Sequence, residues 1–265
     1  MEDIMLTNPV LKYYGSKFRL AKWIIEHFPI HQHYVEPFGG GGAVLFQKPP
    51  SPVETYNDLD GDVCNFFRVL RERPDELIRA IRLTPWARAE FEVCIESCED
   101  PLENARRLYF RLWMSRHAGT LTTATAFRRG KERRSPAADI RPQVVYEAAK
   151  RLTKIQIENR DALKLITEMD SPETLFYLDP PYVTETRSDK KRYAFEMDDS
   201  GHSMLARAVT ALKGFVVMSG YKCRLYKELF EDLGWLRIDT ETMANGGIKR
   251  TESLWLSPRT AAALA

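Results

Sequence analysis

The stretch that most constrains the fold is "TLFYLDPPYVTE", residues 174–185. Its apolar run reads as a buried strand. Two consecutive prolines cannot donate to a sheet ladder, so that strand has to stop at Asp179. The strand therefore ends by presenting a carboxylate (Asp179), two rigid carbonyls (Pro180 and Pro181) and an aromatic ring (Tyr182). Taken alone, the string reads slightly more readily as a plain strand end with a tyrosine packed on the surface. What decides its meaning is the rest of the chain.

Around it, strand-like and helix-like segments alternate. The spacing of Leu20, Ile24 and Phe28 predicts a helix over 17–28, followed by a strand at 33–36, a glycine turn and the start of a helix. A second strand is predicted at 53–60, ending in polar residues, with a helix over 61–74 after it. From about 72 to 145 the strands vanish. "PDELIRAIRL", "ARAEFEVCIESC" and "PLENARRLYFRLWMSRHAG" read as three helices, followed by a polar, Arg-rich loop or β-hairpin; "QVVYEAAKRLTKI" is helical again. Strands return with "IQIENR", "TLFYLD", "GFVVMSG", "LRIDTETM" and "ESLWLSP". This pattern predicts a mainly parallel, doubly wound α/β sheet built from residues 1–71 and 146–265, with a helical and hairpin insertion at 72–145 beside its carboxyl edge. Ligands bind at that edge in such sheets, which gives Asp179 a functional position by topology.

Composition narrows the alternatives. No run approaches the about 20 apolar residues of a membrane span. "MEDIMLTNPVLKYY" lacks the basic start, apolar stretch and cleavage site of a secretory signal, so a cytoplasmic location is expected. Cys64, Cys94, Cys98 and Cys223 form no CxxC pair, and His27, His31, His33, His117 and His202 form no triad, so no metal site is expected. Lys and Arg total 39 against 37 Asp and Glu, a balance that says little about nucleic acid until its distribution is considered.

Between the first predicted strand and helix lies Glu36-Pro37-Phe38-Gly39-Gly40-Gly41-Gly42. Glycines there let the backbone approach a ligand closely, although Val44 occupies the third glycine position of the dinucleotide pattern. Asp58, in "ETYNDLDGD", stands where a Rossmann-type site needs an acid for ribose hydroxyls. This combination points to a nucleoside ligand without choosing which. At the other end of the site, fixed acceptors at Asp179 and Pro180 suit an exocyclic amine, whose two hydrogens they would hold while its lone pair faces an electrophile. Tyr182 could stack on the base, a contact worth roughly 1–3 kcal/mol.

In combination these strings resemble the DNA adenine-N6 methyltransferases of the Dam type. "LKYYGSK" resembles the family's N-terminal cofactor motif, "YVEPFGGGG" its F-x-G-x-G loop, "YNDLD" its ribose acid and "YLDPPY" its catalytic tetrad, in alpha-group order. The resemblance implies a Rossmann-like, S-adenosylmethionine-dependent methyltransferase sheet with a mainly helical target-recognition insertion. It also implies roles for residues. Tyr13, Lys17, Glu36, Pro37, Phe38, Gly40, Gly42, Asp58 and Asp179 would surround S-adenosylmethionine, with Lys17 near the methionine carboxylate. Tyr13 replaces an often-seen Trp but keeps an aromatic surface. Asp161 occupies a less defined cofactor-side position and reads equally as a helix N-cap. Asp179, Pro180, Pro181 and Tyr182 would be catalytic, acting on a flipped adenine.

The insertion carries Arg106, Arg107, Arg111, Arg116, Arg128, Arg129, Lys131, Arg133 and Arg134, with Glu132 the only acid from 106 to 134. Such a run is often a solvated face. Here duplex DNA is the expected partner, with Arg116, Thr122, Thr123, Arg128, Arg129 and Lys131 as candidate contacts and an arginine reading guanine. Thr120 and Thr125 extend the same threonine-rich stretch. The target sequence does not follow, and neither does the oligomeric state. A cognate restriction endonuclease is a conceivable partner, in a bacterial or phage-infected cell. RNA adenine, cytosine N4 or protein glutamine methylation, a catalytically inactive nucleic-acid-binding protein and an NAD-dependent oxidoreductase are the competing readings.

Overall fold

A computed structural model describes residues 5–116, 126–130, 134–187, 195–243 and 249–265. Seven strands, β1 (His33–Glu36), β2 (Val53–Asn57), β3 (Ile155–Glu158), β4 (Thr174–Leu178), β5 (Phe215–Gly220), β6 (Leu236–Met243) and β7 (Lys249–Leu256), form one sheet in the order β3-β2-β1-β4-β5-β7-β6. The first five run parallel, while β7 pairs antiparallel with both β5 and β6. Strand order reverses between β1 and β4, and the crevice at such a switch point is where open α/β sheets take their ligands.

The helices are α1 (Ala21–Ile25), α2 (Gly61–Glu72), α3 (Pro74–Leu83), α4 (Arg88–Val93), α5 (Pro101–Met114), α6 (Pro142–Leu152), α7 (Ala162–Glu168), α8 (Asp199–Thr210), α9 (Arg224–Leu229) and α10 (Pro258–Leu264). Every residue of β4 is buried, as its unbroken apolar run requires for a strand covered on both faces. On one face Val35, Phe176, Leu178 and Met218 pack against Leu205, Tyr226 and Trp255. On the other, Tyr34, Tyr56 and Tyr177 share a continuous core with Phe66 and Phe67 of α2, and that core runs on into Leu77, Leu108, Tyr109 and Val145 of the helical block. The block is anchored on α2, where Phe66 stacks on Tyr109 with centroids 6.1 Å apart.

Several boundaries differ from those the sequence predicts. The helix expected over 17–28 contracts to α1, since Leu20 at its N-cap offers no capping side chain. The helix expected after the glycine run does not form. Residues 42–48 make only successive turns, bonded Phe46 N to Gly42 O and Lys48 N to Val44 O, before Pro49 and Pro50 stop them. The strand predicted to reach residue 60 ends at Asn57, because Asp58 and Asp60 accept the amides of Asp60 and Asp62 and turn the chain into α2. Helix α8 is an element that the alternation of segments did not single out.

At the insertion's polar end, Ser115 bridges antiparallel to Phe127, Arg116 N donates to Ala126 O at 3.0 Å and Arg128 N to Met114 O at 2.7 Å. These contacts pair the chain around Ser115 antiparallel with the chain around Phe127. His117, Thr120, Thr122, Thr123, Thr125, Lys131, Glu132 and Arg133 lie outside the described residues. No described helix is long and apolar enough to cross a membrane.

Candidate active site

The carboxyl ends of β1, β2 and β4 open into one cavity of about 540 Å³, within the roughly 300–1,000 Å³ typical of small-molecule sites. Tyr13, Lys17, Glu36, Pro37, Phe38, Gly40, Asp58, Asp161, Asp179 and Pro181 all line it. Gly42, Pro180 and Tyr182 do not. Pro180 and Tyr182 are buried beside the cavity. Gly42 serves the loop's shape: its φ is +65°, and a Cβ there would meet the Phe46 ring at 2.7 Å.

The glycine loop is tied to the end of β2 at several points. Asp58 Oδ2 accepts from Gly40 N at 2.7 Å, the Tyr56 hydroxyl donates to Gly40 O at 2.6 Å, and Asn57 Nδ2 donates to Pro37 O at 2.8 Å. Gly40 itself has φ +48°, and a Cβ on it would come within 2.8 Å of the Tyr13 ring. Burial pushes the Asp58 carboxyl up to about 6, against the backbone amides that favour its charge. Glu36, at the end of β1, accepts on Oε2 from the Tyr34 hydroxyl (2.7 Å) and Leu45 N (3.1 Å). Its burial, with Asp179 nearby, raises it to about 8. Asp161 caps α7, accepting from Lys164 N at 3.0 Å, as its N-cap reading expects, and it also lines the cavity.

Asp179 follows β4 directly. Lys17 Nζ stands 2.9 Å from its Oδ1, donates to Gly15 O at 2.9 Å and sits 4.5 Å above the Tyr182 ring. The lysine expected toward the cofactor's carboxylate is thus paired with the tetrad's aspartate. Burial pushes Asp179 up, and Lys17 offsets this only in part. For Lys17, burial is outweighed by Asp179 and Glu252, which hold the ammonium above its usual value.

Part of the cavity wall escaped the sequence reading. Asn57, Tyr177 and the segment of Met197, Asp198 and Met204 leading into α8 also line it. Tyr177 was detectable by alternation along β4, two residues before Asp179. Nothing local marks the α8 segment, which reaches the site only through the sheet's topology.

The arginine run divides. Arg106 pairs with Glu103 and Glu90, Arg107 with Glu103, and Arg111 with Asp62. These pairs tie α5 to α2 and α4 and brace it along its own length. Their acids precede residue 106, so the run looked less balanced than it is. Arg128 and Arg134 share Asp139, at 2.7 and 2.9 Å. Arg116 and Arg129 are exposed beside the Ser115–Phe127 bridge. Lys12 Nζ donates to Ser115 O at 2.9 Å, joining the segment before Tyr13 to that bridge.

The model of the D12 class N6 adenine-specific DNA methyltransferases matches residues 13–244. Type II methyltransferase M1.LlaDCHI of Lactococcus lactis subsp. cremoris is 24% identical over 90% of this chain and 89% of its own length. Type II methyltransferase M.MjaIII of Methanocaldococcus jannaschii is 23% identical over 95% of this chain and 98% of its own. A DNA adenine methylase of Serratia marcescens is 29% identical over 40% of this chain and 41% of its own. A seven-stranded sheet with its switch point at β1 and β4, a glycine loop held by Asp58 and an aspartate-proline-proline-tyrosine corner in one cavity accord with that match. The chain belongs to the D12 class N6 adenine-specific DNA methyltransferases, S-adenosylmethionine-dependent enzymes acting on DNA.

Proposed function

We propose that the protein methylates N6 of an adenine flipped out of duplex DNA at a specific site, with Asp179, Pro180, Pro181 and Tyr182 forming the acceptor side. The observation that carries this reading is the placement of Asp179 in the same cavity as the glycine loop and Asp58. The residues fit S-adenosylmethionine. A loop whose Gly40 leaves no room for a side chain, an acid at the end of β2 and further carboxylates at Glu36 and Asp161 suit a nucleoside bearing an ammonium group. Tyr13, Phe38, Gly40 and Asp58 would hold its adenosine half, and Glu36 would face its amino-acid half.

Bound S-adenosylmethionine supplies an electrophilic methyl group carried on a sulfonium. The chain's residues position the acceptor. The Asp179 carboxylate and the Pro180 carbonyl accept the two amine hydrogens of the flipped base, and the Tyr182 ring forms its aromatic wall. Lys17 favours the ionised form of Asp179, the form that accepts without competing as a donor.

The insertion at 72–145 would be the DNA-reading part, with Arg116, Arg128 and Arg129 beside the Ser115–Phe127 bridge and Thr122, Thr123 and Lys131 as further contacts. Two full-length relatives bear Type II names, which supports a role in restriction–modification with a cognate endonuclease, in the cytoplasm of a bacterial or phage-infected cell.

The test is transfer from tritiated S-adenosylmethionine to unmethylated plasmid DNA, followed by nucleoside analysis. Label in N6-methyladenine is expected, lost in Asp179→Ala with cofactor affinity largely kept. Label in RNA or protein but none in duplex adenine would overturn the reading.

A further inference from the structure

Strand β7 runs antiparallel to its neighbours, so its first residues arrive at the carboxyl edge where β4 and β5 end. Two charged residues there, Arg250 and Glu252, stand two apart and therefore on one face of the strand. Each meets a tyrosine. Tyr182 donates its hydroxyl to Glu252 Oε2 at 2.9 Å, and Arg250 Nη1 donates to the Tyr221 hydroxyl at 3.2 Å. The two rings meet edge to face, with centroids 4.7 Å apart and planes at 80°. Glu252 is 8% exposed and Tyr182 5%, so water does not compete for the bond between them.

A buried carboxylate is costly unless something specific needs it. Its neighbours along β7, Ser253, Leu254, Trp255 and Leu256, are all buried and carry no charge. We infer that Glu252 is a positioning residue for the methyl acceptor: by holding the Tyr182 hydroxyl it fixes the direction of the ring against which the flipped base lies. The inference rests on the acceptor-side role proposed above for Tyr182. The hydroxyl is the end of the ring farthest from the backbone, so a bond there stops the side chain from swinging about its Cα–Cβ bond, while the edge-to-face contact with Tyr221 limits the turning of the ring plane. Tyr221, braced by Arg250, closes the ring's edge.

The experiment compares Glu252→Leu, which removes the acceptor, with Glu252→Gln, which keeps one, and with Tyr182→Phe and the Tyr182→Phe/Glu252→Leu double variant. Single-turnover transfer to duplex DNA, KM for DNA, S-adenosylmethionine affinity and Tm are read for each. Glu252→Leu should lower the transfer rate about tenfold or more, since small misplacements of reacting groups are costly. Cofactor affinity and KM should stay within about twofold, and Glu252→Gln should recover most of the rate. Tyr182→Phe should match Glu252→Leu, and the double variant should be no slower than either. If Glu252→Leu lowers Tm too far to assay, Tyr182→Phe tests the same bond from the other side. Wild-type rates in Tyr182→Phe or Glu252→Leu, or losses that multiply in the double variant, would overturn the inference alone. Absence of adenine label with the wild-type protein would overturn both the acceptor-side reading and this one.

Discussion

Lys17 and Asp179 meet at 2.9 Å, an ammonium from the segment before α1 against the carboxylate that ends β4. The same ammonium lies over the Tyr182 ring at 4.5 Å, so one cation touches both the charged and the aromatic member of the tetrad. It stands beside the carboxylate that an incoming amine has to reach. Lys17 therefore favours the charged form of Asp179 and has to share that carboxylate with the acceptor.

Removal of that cation should be visible in the pH dependence of transfer. Burial raises the Asp179 carboxyl and Lys17 is the main group lowering it, so Lys17→Met leaves the raising effect opposed only by the Tyr182 hydrogen bond. An acceptor that must be ionised is lost as pH falls through its pKa. The acid limb of the transfer rate should accordingly move to higher pH in Lys17→Met, and a limb that stays in place would contradict this role for Lys17.

Glu36 should make the fold itself sensitive to alkali. Its folded value of about 8 lies above the ordinary glutamate value of 4.5, so between those values the folded state keeps a proton that the unfolded chain has released. Its contribution to stability is complete below the unfolded value and is lost as pH rises through the folded one. The Tm of the ligand-free wild type should fall more steeply from pH 5 to pH 9 than that of Glu36→Gln, a difference that thermal unfolding across pH would measure.

Gly40→Ala should damage both the loop and its ligand. The positive φ costs about 1–3 kcal/mol in a residue with a side chain, and the new Cβ would press on Tyr13 at 2.8 Å. We expect a lowered Tm and S-adenosylmethionine binding at least about tenfold weaker by equilibrium dialysis, the equivalent of about 1.4 kcal/mol.

The arginines should separate into two groups. Arg116→Ala and Arg129→Ala, at exposed positions, should weaken DNA binding and each reduce the salt dependence by about one unit of log–log slope, with Tm little changed. Arg106→Ala, which breaks pairs with Glu103 and Glu90, should instead lower Tm and leave the slope alone. Binding titrations at several salt concentrations distinguish the two.

The sequence by itself determined where β4 ends and the order of the chemistry-bearing segments, because both are written locally. The prolines after Asp179 must stop a strand, whereas the acids after Asn57, which end β2 and turn the chain into α2, read as part of that strand until the structure showed their bonds. Glycines at Gly40 and Gly42 announce a backbone that ordinary residues resist. The arginine run was visible too, but not which members face inward, since the acids that claim Arg106 and Arg111 lie on other turns and other helices. Only the tertiary structure brought Lys17 to Asp179, Glu252 to Tyr182 and the α8 segment to the cavity. Those contacts join residues far apart in the chain, and their existence depends on strand order: β1 beside β4, and β7 reversed beside β5. Local propensity carries no record of that order, whereas the pairs Lys17–Asp179 and Glu252–Tyr182 depend on it, because each joins groups from distant parts of the chain.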